Sequence, residues 1–177
     1  MTLTETVNKE LFTIGVYGTS ETSFFEALRR HGITHFIDVR RRRGMRGMQY
    51  AYVNRSRLEN KLQGLGIEYR HYINLAPTKE TRQVQKAMDT TQQVKKSERT
   101  ELDPHFVQRY ESECLANFDA QAFLSEFPEG ARIVLFCVEG HPDACHRSLI
   151  ARRIEVETGL RWRDITPCYS ERSQSEL

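Results

Sequence analysis

The stretch that most constrains the fold is the apolar run 133–138, Ile-Val-Leu-Phe-Cys-Val, which shows no polar alternation. A strand with one solvated face alternates apolar and polar residues, whereas an unbroken apolar run is typical of a strand covered on both faces. Such strands belong to parallel sheets, in which each strand is joined to the next by a crossover that is usually a helix. The rest of the chain is therefore expected to alternate strands with helices.

Four other segments resemble strands, and helical patterns separate them. Ser20 or Thr22 can cap the first helix, and Gly32 is well placed to end it in a left-handed conformation. Further strands are predicted at 11–17, 33–39, 67–73 and 160–165. The order predicts the α/β class, with a mostly parallel sheet flanked by helices and layered as in Rossmann and flavodoxin-like folds.

The length of 177 residues fits one domain. We predict that this domain spans 11–166, between an N-terminal extension at 1–10 and a polar tail at 167–177. Segment 78–103 is very polar and contains few apolar residues, so it is predicted to be a mobile loop or a weak helix. It is interpreted as a solvated insertion, with a lid over a site as the alternative.

Composition restricts the function classes. The net charge is only +2, so any attraction to an anion must be local rather than global. No apolar run approaches a membrane span, and the first ten residues lack the apolar core of a signal peptide. A cytoplasmic protein without membrane contact is therefore expected, and its four cysteines are interpreted as thiols rather than a disulfide framework.

The loop after the apolar run concentrates reactive groups. Residues 137–148 contain two thiols, two imidazoles, two carboxylates and one guanidinium. Cys145 should lie at a helix N-terminus, where the helix dipole favours the thiolate. Cys145 is then a candidate nucleophile, His146 an acid or base, and Arg147 an oxyanion or phosphate clamp. Alternatively, Cys145 is a buried thiol and Arg147 forms a salt bridge with Asp38 or Glu139.

The same loop also permits a metal site. Cys137, His141, Cys145 and His146 are donors of types that zinc accepts, although their spacing matches no standard zinc finger. No cofactor is predicted on balance, and zinc remains an alternative that would make the loop the staple of an interaction domain.

A basic loop at Arg40–Arg46 follows the second predicted strand. Arginine offers planar, multiple donors to phosphate or carboxylate, so the loop is a candidate anion site. Nearby Tyr50 and Tyr52 also permit a nucleic-acid-binding module that contacts phosphates and stacks bases. If the strands are parallel, the loops at 17–20, 40–48, 74–77 and 137–148 share one rim of the sheet.

Several motifs together resemble a known family. They are Cys-x-Glu-x-x-Pro-x-x-Cys-His-Arg-Ser-Leu-Ile-Ala at 137–151, Thr-Ile-Gly-Val-Tyr-Gly-Thr-Ser at 13–20, Asp-Val-Arg at 38–40, Asn54, and Gly-Ile-Glu-Tyr at 66–69. Over roughly 11–166 the chain resembles the domain of unknown function 488 family. The resemblance implies an α/β domain in which the first turn, Asp-Val-Arg and Cys-His-Arg come together, and it implies no particular reaction.

This chain departs from the family pattern in two rim loops. Arginines and glycines follow Asp-Val-Arg where the family commonly has proline and serine, and Leu75-Ala76-Pro77 stands where it usually has Leu-Gly-Gly. Ligand choice is therefore expected to differ even if the core site is shared.

We predict an enzyme that binds a small anionic ligand, phosphate- or nucleotide-like, at the carboxyl ends of the strands. The sequence indicates no oligomeric state. The candidate catalytic residues are Cys145, His146, Arg147 and Asp38. The candidate ligand-binding residues are Tyr17, Thr19, Arg40, Arg43, Asn54, Glu139 and Ser148.

Overall fold

The computed structural model describes residues 8–167, through which strands and helices alternate. Most of the predicted extension and tail, and Cys168, lie outside this range. Within it, no helix is both long and apolar enough to cross a membrane. The elements are β1 (Glu10–Ile14), α1 (Glu21–Arg30), β2 (His35–Asp38), α2 (Arg55–Gly64), β3 (Glu68–His71), α3 (Lys79–Gln92), α4 (Pro104–Tyr110), α5 (Ala120–Ser125), β4 (Arg132–Phe136), α6 (His146–Thr158) and β5 (Trp162–Ile165).

The five strands form one parallel sheet in the order β3-β2-β4-β1-β5. This confirms the predicted α/β class and the parallel arrangement. The apolar run supplies β4 at the centre of the sheet, where Ile133–Phe136 are fully buried. The loop after β4 therefore emerges between the loops that follow β2 and β1, which is where ligands bind in sheets of this kind.

Local signals in the sequence explain how α1 begins and ends. The Ser20 side chain accepts a hydrogen bond from the backbone N–H of Ser23, and the Ser23 side chain accepts one from the backbone N–H of Ser20, which forms a capping box. Gly32 follows the helix with φ of +58°, as its left-handed role predicts. Between these ends, Phe24 packs edge-on against Phe36 and Phe136 of the sheet. Burial of one such ring contributes about 1.5–3 kcal/mol.

Gly15 allows the loop after β1 to approach the loop after β4. A Cβ atom at this position would lie 1.9 Å from the backbone oxygen of Glu139, so no other residue fits without movement of the backbone. Beside it, the N–H groups of Val16 and Tyr17 both donate to the carbonyl of Val138. The two loops are therefore joined by backbone contacts alone.

After residue 104, Phe106, Tyr110, Cys114 and Phe118 recur every four residues, a spacing that predicts one buried helical stripe. Phe106 and Tyr110 are buried as predicted, but a π-helical turn at Glu111–Leu115 follows α4. Because a π turn contains more than four residues, Leu115 takes the buried position and Cys114 is only half-buried.

Segment 78–103 contains the 14-residue helix α3 rather than a loop throughout. Thr78 caps it by accepting a hydrogen bond from the N–H of Thr81. The residues that α3 buries, Thr81 and Gln85, are polar. The segment thus forms a helix whose packed face is polar. Its low apolar content, which predicted a mobile loop or a weak helix, reflects this polar packing.

Candidate functional site

A cavity of about 470 Å³ lies at the carboxyl edge of the sheet, between α3 and the loops that follow β2 and β4. Its wall is unusually basic, because seven cationic side chains face two carboxylates. The cations are Arg40, Arg41, Arg42, Arg82, Lys86, Lys96 and Arg99, and the carboxylates are Asp89 and Glu139.

At one side of this cavity two thiols and an imidazole meet. Cys145 is the last residue before α6 and His146 is the first residue of that helix. His146 Nε2 lies 3.0 Å from the carbonyl oxygen of Val39 and must carry the proton that makes this hydrogen bond. In the neutral ring, Nδ1 is therefore the acceptor, and it lies 3.8 Å from Cys145 Sγ. This arrangement allows the thiol to pass its proton to the imidazole.

The surroundings favour the ionised form of this pair. Burial opposes the charge on Cys145, yet a hydrogen bond from Cys137 and the positive charge of His146 lower the pKa of Cys145 to about 5. Burial likewise acts against His146, and the Cys145 thiolate outweighs it and raises the pKa of the imidazole. The bond to Cys145 and burial raise the pKa of Cys137, which stays a thiol.

Glu139 stands beside these groups with its charge fully matched. It is 5% exposed, and its carboxylate lies 3.2 Å from Arg99 Nη2 and 3.3 Å from Lys96 Nζ. Burial would raise the pKa of Glu139, but Lys96 and Arg99 hold it well below its ordinary value. Arg99 also pairs with Asp89 at 2.6 Å and donates to the carbonyl of Ala144. We call this side of the cavity, with Cys137, Cys145, His146, Glu139, Lys96 and Arg99, the thiol end.

The opposite side of the cavity carries charge that is not matched. Within residues 8–167, no carboxylate lies within 4.0 Å of Arg41, Arg42, Arg82 or Lys86. Burial and then the charges of Arg42 and Arg41 lower the pKa of Arg82, while the charge of Glu80 acts in the opposite direction. We call these four residues the arginine end.

Arg40 borders the cavity, and its guanidinium group donates hydrogen bonds to residues that do not line the cavity. Its Nε and Nη2 donate to the two oxygens of Asp38 at 2.9 and 2.7 Å, and Nη2 also donates to the carbonyl of Val53. Its Nη1 is buried without a hydrogen-bond partner in the described chain. Asp38 itself does not line the cavity and also accepts a bond from Tyr69. Asp38 thus positions Arg40 and lies away from the space where a ligand would bind.

Arg147 and Ser148 are placed inside the protein rather than in the cavity wall. Arg147 is fully buried and donates to the carbonyls of Glu139 and Gly140 and to the carboxylate of Asp164. Ser148 Oγ donates to the carbonyl of Cys145 at 2.9 Å. Both side chains hold the loop that carries the thiols, and neither reaches the cavity.

Tyr17 and Thr19, from the turn after β1, also lie outside the cavity lining. Tyr17 is partly exposed and packs edge-on against Tyr50. Thr19 is buried, and its hydroxyl lies 2.6 Å from the hydroxyl of Tyr52. Tyr52 is 4% exposed. Its ring is thus enclosed rather than displayed for base stacking.

Arg43 and Asn54 shape the basic loop without lining the cavity. Arg43 Nη1 donates to Glu59 at 3.3 Å and to the hydroxyl of Tyr69 at 3.5 Å. Asn54 Oδ1 accepts the N–H of Met45 at 2.5 Å. Of the eleven predicted site residues, the cavity brings together four, namely Arg40, Glu139, Cys145 and His146.

Three of the four predicted zinc donors are close together. The ligand atoms of Cys137, Cys145 and His146 lie within 4.8 Å of one another, and all three residues are buried. His141 is not in this group, and its Nδ1 accepts the N–H of Asp143 instead. The cluster offers donors that can hold a metal, with the cavity adjoining them.

The sequence reading missed four cations of segment 78–103, namely Arg82, Lys86, Lys96 and Arg99. The helical spacing of Arg82 and Lys86 was a usable signal, since residues four apart share one face of a helix. No local signal indicated that Lys96 and Arg99 fold back onto Glu139, because that contact depends on the tertiary path of the chain.

Comparisons with known proteins give information at the level of the family. No curated protein matches the chain, and no solved structure does. A family model described as a domain of unknown function, DUF488, matches residues 21–154, which include β2, β4 and the first two turns of α6. With three quarters of its length matched, the chain belongs to the DUF488 family.

Proposed function

We propose that this protein is an enzyme that uses Cys145 as a nucleophile on a small anionic substrate. The observation that carries the proposal is the 3.8 Å contact between Cys145 Sγ and His146 Nδ1 beside the cavity. The carbonyl of Val39 fixes the tautomer that this contact needs. A thiolate paired with an imidazolium is the form in which cysteine attacks electrophiles.

The proposed reaction has two steps, attack by the thiolate and hydrolysis of the covalent intermediate. The Cys145 thiolate forms a bond to the electrophilic atom of the substrate while the bond to the leaving group breaks, and His146 gives its Nδ1 proton to that group. Neutral His146 then takes a proton from water as the water oxygen attacks the covalent intermediate, which restores the thiolate and the imidazolium. The basic wall supports an anionic substrate, because its cations outnumber its carboxylates.

The pH dependence of alkylation tests the nucleophile. Iodoacetamide should modify Cys145 with a midpoint near its pKa of about 5. Cys114 serves as the internal control, since burial raises its pKa above the ordinary value of 9.0. His146→Gln should move the Cys145 midpoint upward, because the imidazolium that stabilises the thiolate is absent. A Cys145 midpoint near that of Cys114, read by mass spectrometry of each cysteine, would contradict the proposal.

A zinc site is the second candidate, and the cluster of Cys137, Cys145 and His146 favours it. Three protein ligands beside a cavity resemble catalytic zinc sites, which keep one position open for water or substrate. In that case Cys145 is a ligand and no longer a nucleophile. Metal analysis of protein purified without chelator separates the two, since stoichiometric zinc that Cys145→Ser removes would replace the thiol mechanism.

The nucleic-acid alternative has weaker support. The enclosed ring of Tyr52 is not available for stacking, and the cations surround a cavity of about 470 Å³, a size typical of small-molecule sites. A module that binds nucleic acid would lose affinity steeply as salt increases. Titration with single- and double-stranded DNA and RNA at low salt tests it, and tight, salt-sensitive binding would favour this alternative over the enzyme.

A further inference from the structure

We propose that the arginine end, formed by Arg41, Arg42, Arg82 and Lys86, binds a phosphate group of the substrate at a distance from the bond that reacts. This assignment rests on the proposed function only in calling the ligand a substrate, because the charges of the arginine end do not involve the thiols. It specifies the ligand as a phosphorylated small molecule whose phosphate serves for recognition.

The separation of the two ends follows from helix α3. Arg82 lies near the start of this helix, and Asp89, which pairs with Arg99 of the thiol end, lies seven residues further along. At ~1.5 Å per residue, this spacing is about 10 Å along the helix axis. Arg41 is tied to the same early part of the segment, since it donates to the carbonyls of Ala76 and Pro77. A phosphate held beside Arg82 is therefore separated along α3 from Asp89 and its partner Arg99.

Unsatisfied donors at this side of the cavity support a ligand rather than a solvated charge run. Arg40 is 3% exposed and borders the cavity, yet its Nη1 has no partner within residues 8–167. Arg82 Nε is likewise buried without a partner in that range. Buried polar groups are almost always hydrogen-bonded, and a guanidinium that lacks an acceptor is costly. A phosphate beside Arg82 would bring acceptor oxygens to the side of the cavity where this guanidinium lacks one.

The number of unmatched charges favours phosphate over carboxylate. Four cations without a carboxylate partner in the described chain are better matched by a dianion than by a monoanion. Three of the four are arginines, whose planar donors suit phosphate oxygens. The cavity of about 470 Å³ leaves room for the remainder of a small phosphorylated molecule.

Calorimetric titration with inorganic phosphate tests this site at about pH 8, where phosphoryl groups with a second pKa near 6 are dianionic. Wild-type protein should bind phosphate saturably and bind acetate much more weakly at matched ionic strength. Arg82→Gln and Arg42→Gln should each weaken phosphate binding about tenfold or more, since each removes a charge-assisted contact. Arg46→Gln is the matched control, because Arg46 is exposed in the same loop and does not line the cavity.

The outcomes also separate this inference from the proposed function. Cys145→Ser should bind phosphate as the wild type does, within about twofold. Normal phosphate binding together with an unreactive Cys145 would overturn the enzyme and leave the phosphate site standing. Absence of saturable phosphate binding, equal binding of acetate, or equal weakening by Arg46→Gln would overturn the phosphate site. Arg42 is exposed, so Arg42→Gln provides a reading even if Arg82→Gln disturbs the fold.

Discussion

The two ends of the cavity hold similar cations in opposite electrostatic situations. At the thiol end, Lys96 and Arg99 are paired with Glu139, and Arg99 is also paired with Asp89. At the arginine end, no cation has a carboxylate partner within residues 8–167, and Arg82 is repelled by Arg41 and Arg42. The cations of the thiol end are therefore neutralised by carboxylates of the free protein, whereas those of the arginine end are not.

This difference agrees with the proposal that the thiol end carries out the chemistry and the arginine end binds the charged ligand. Groups that take part in chemistry gain from being held in place before the substrate arrives, as the bond between His146 and the carbonyl of Val39 illustrates. Groups that bind a charged ligand gain from charge that only the ligand can neutralise. Variants that change one end at a time test this difference.

The largest effect is expected when the support of the thiol end is removed. Arg147→Met keeps apolar bulk but removes the donor to the carbonyls of Glu139 and Gly140 and the charged partner of Asp164, which still accepts a hydrogen bond from Thr13. Breaking a buried pair by removing one partner costs about 3–5 kcal/mol, so the free energy of unfolding should fall by about that amount. Urea unfolding at neutral pH measures it.

Arg153→Met is the control for this prediction, because Arg153 is on the same helix and pairs with Glu157 near the surface. Its effect should stay within about 0.5 kcal/mol. Equal stability of the two variants would show that Arg147 does not hold the loop. The sequence left two roles open for Arg147, a phosphate clamp or a salt bridge with Asp38 or Glu139. The buried pair with Asp164 is a salt bridge with a different partner, and it gives Arg147 a positioning role.

A pair of matched substitutions compares the ends directly. Arg99→Gln should destabilise the protein by about 3 kcal/mol, because Asp89 and Glu139 both lose a buried partner. Arg82→Gln should change stability by no more than about 0.5 kcal/mol and relieves repulsion from Arg41 and Arg42. Both residues line the cavity, so urea unfolding of the two variants isolates the charge environment. Similar losses would mean that the two ends do not differ.

Much of the fold was predictable because its signals are local. The unbroken apolar run of β4, the cap at Ser20 and the left-handed Gly32 each depend on a few neighbouring residues. The π-helical turn was not predictable, since it shifts burial from Cys114 to Leu115 through packing with the rest of the protein. Strand order is likewise a tertiary property, and the sequence indicated only that the strands are parallel.

The candidate site was predictable as a place and less so as a set of residues. The parallel sheet brings the loops after β2 and β4 together, as their positions at strand ends predicted. Sequence proximity to Cys145 suggested a role at the ligand for Arg147, whose side chain is buried and does not line the cavity. The two loops that depart from the family pattern touch, since Arg41 donates to Ala76 and Pro77.

The smallest effect concerns the pH response of the arginine end. Hydrogen bonds from Thr81, Arg109 and Thr78 lower the pKa of Glu113 from 4.5 to about 2, and Thr78 and Thr81 belong to the first turn of α3. Because the folded pKa lies below the unfolded one, this stabilisation is complete above about pH 4.5 and is lost as the pH falls toward 2. Glu139 at the thiol end keeps its charge in this window, since Lys96 and Arg99 hold its pKa still further below the ordinary value.

Glu113→Gln should therefore lower the free energy of unfolding by only about 0.5 kcal/mol at neutral pH, because solvent screens this exposed carboxylate. The difference from the wild type should shrink between about pH 5 and pH 2, as protonation removes the same interaction from the wild-type protein. Urea unfolding at several pH values measures this difference, with Glu98→Gln as the control because Glu98 pairs with exposed Lys95. A difference that stays constant with pH would show that Glu113 acts through shape rather than charge. In that case the first turn of α3, and with it the wall that carries Arg82, would not depend on the charge of Glu113.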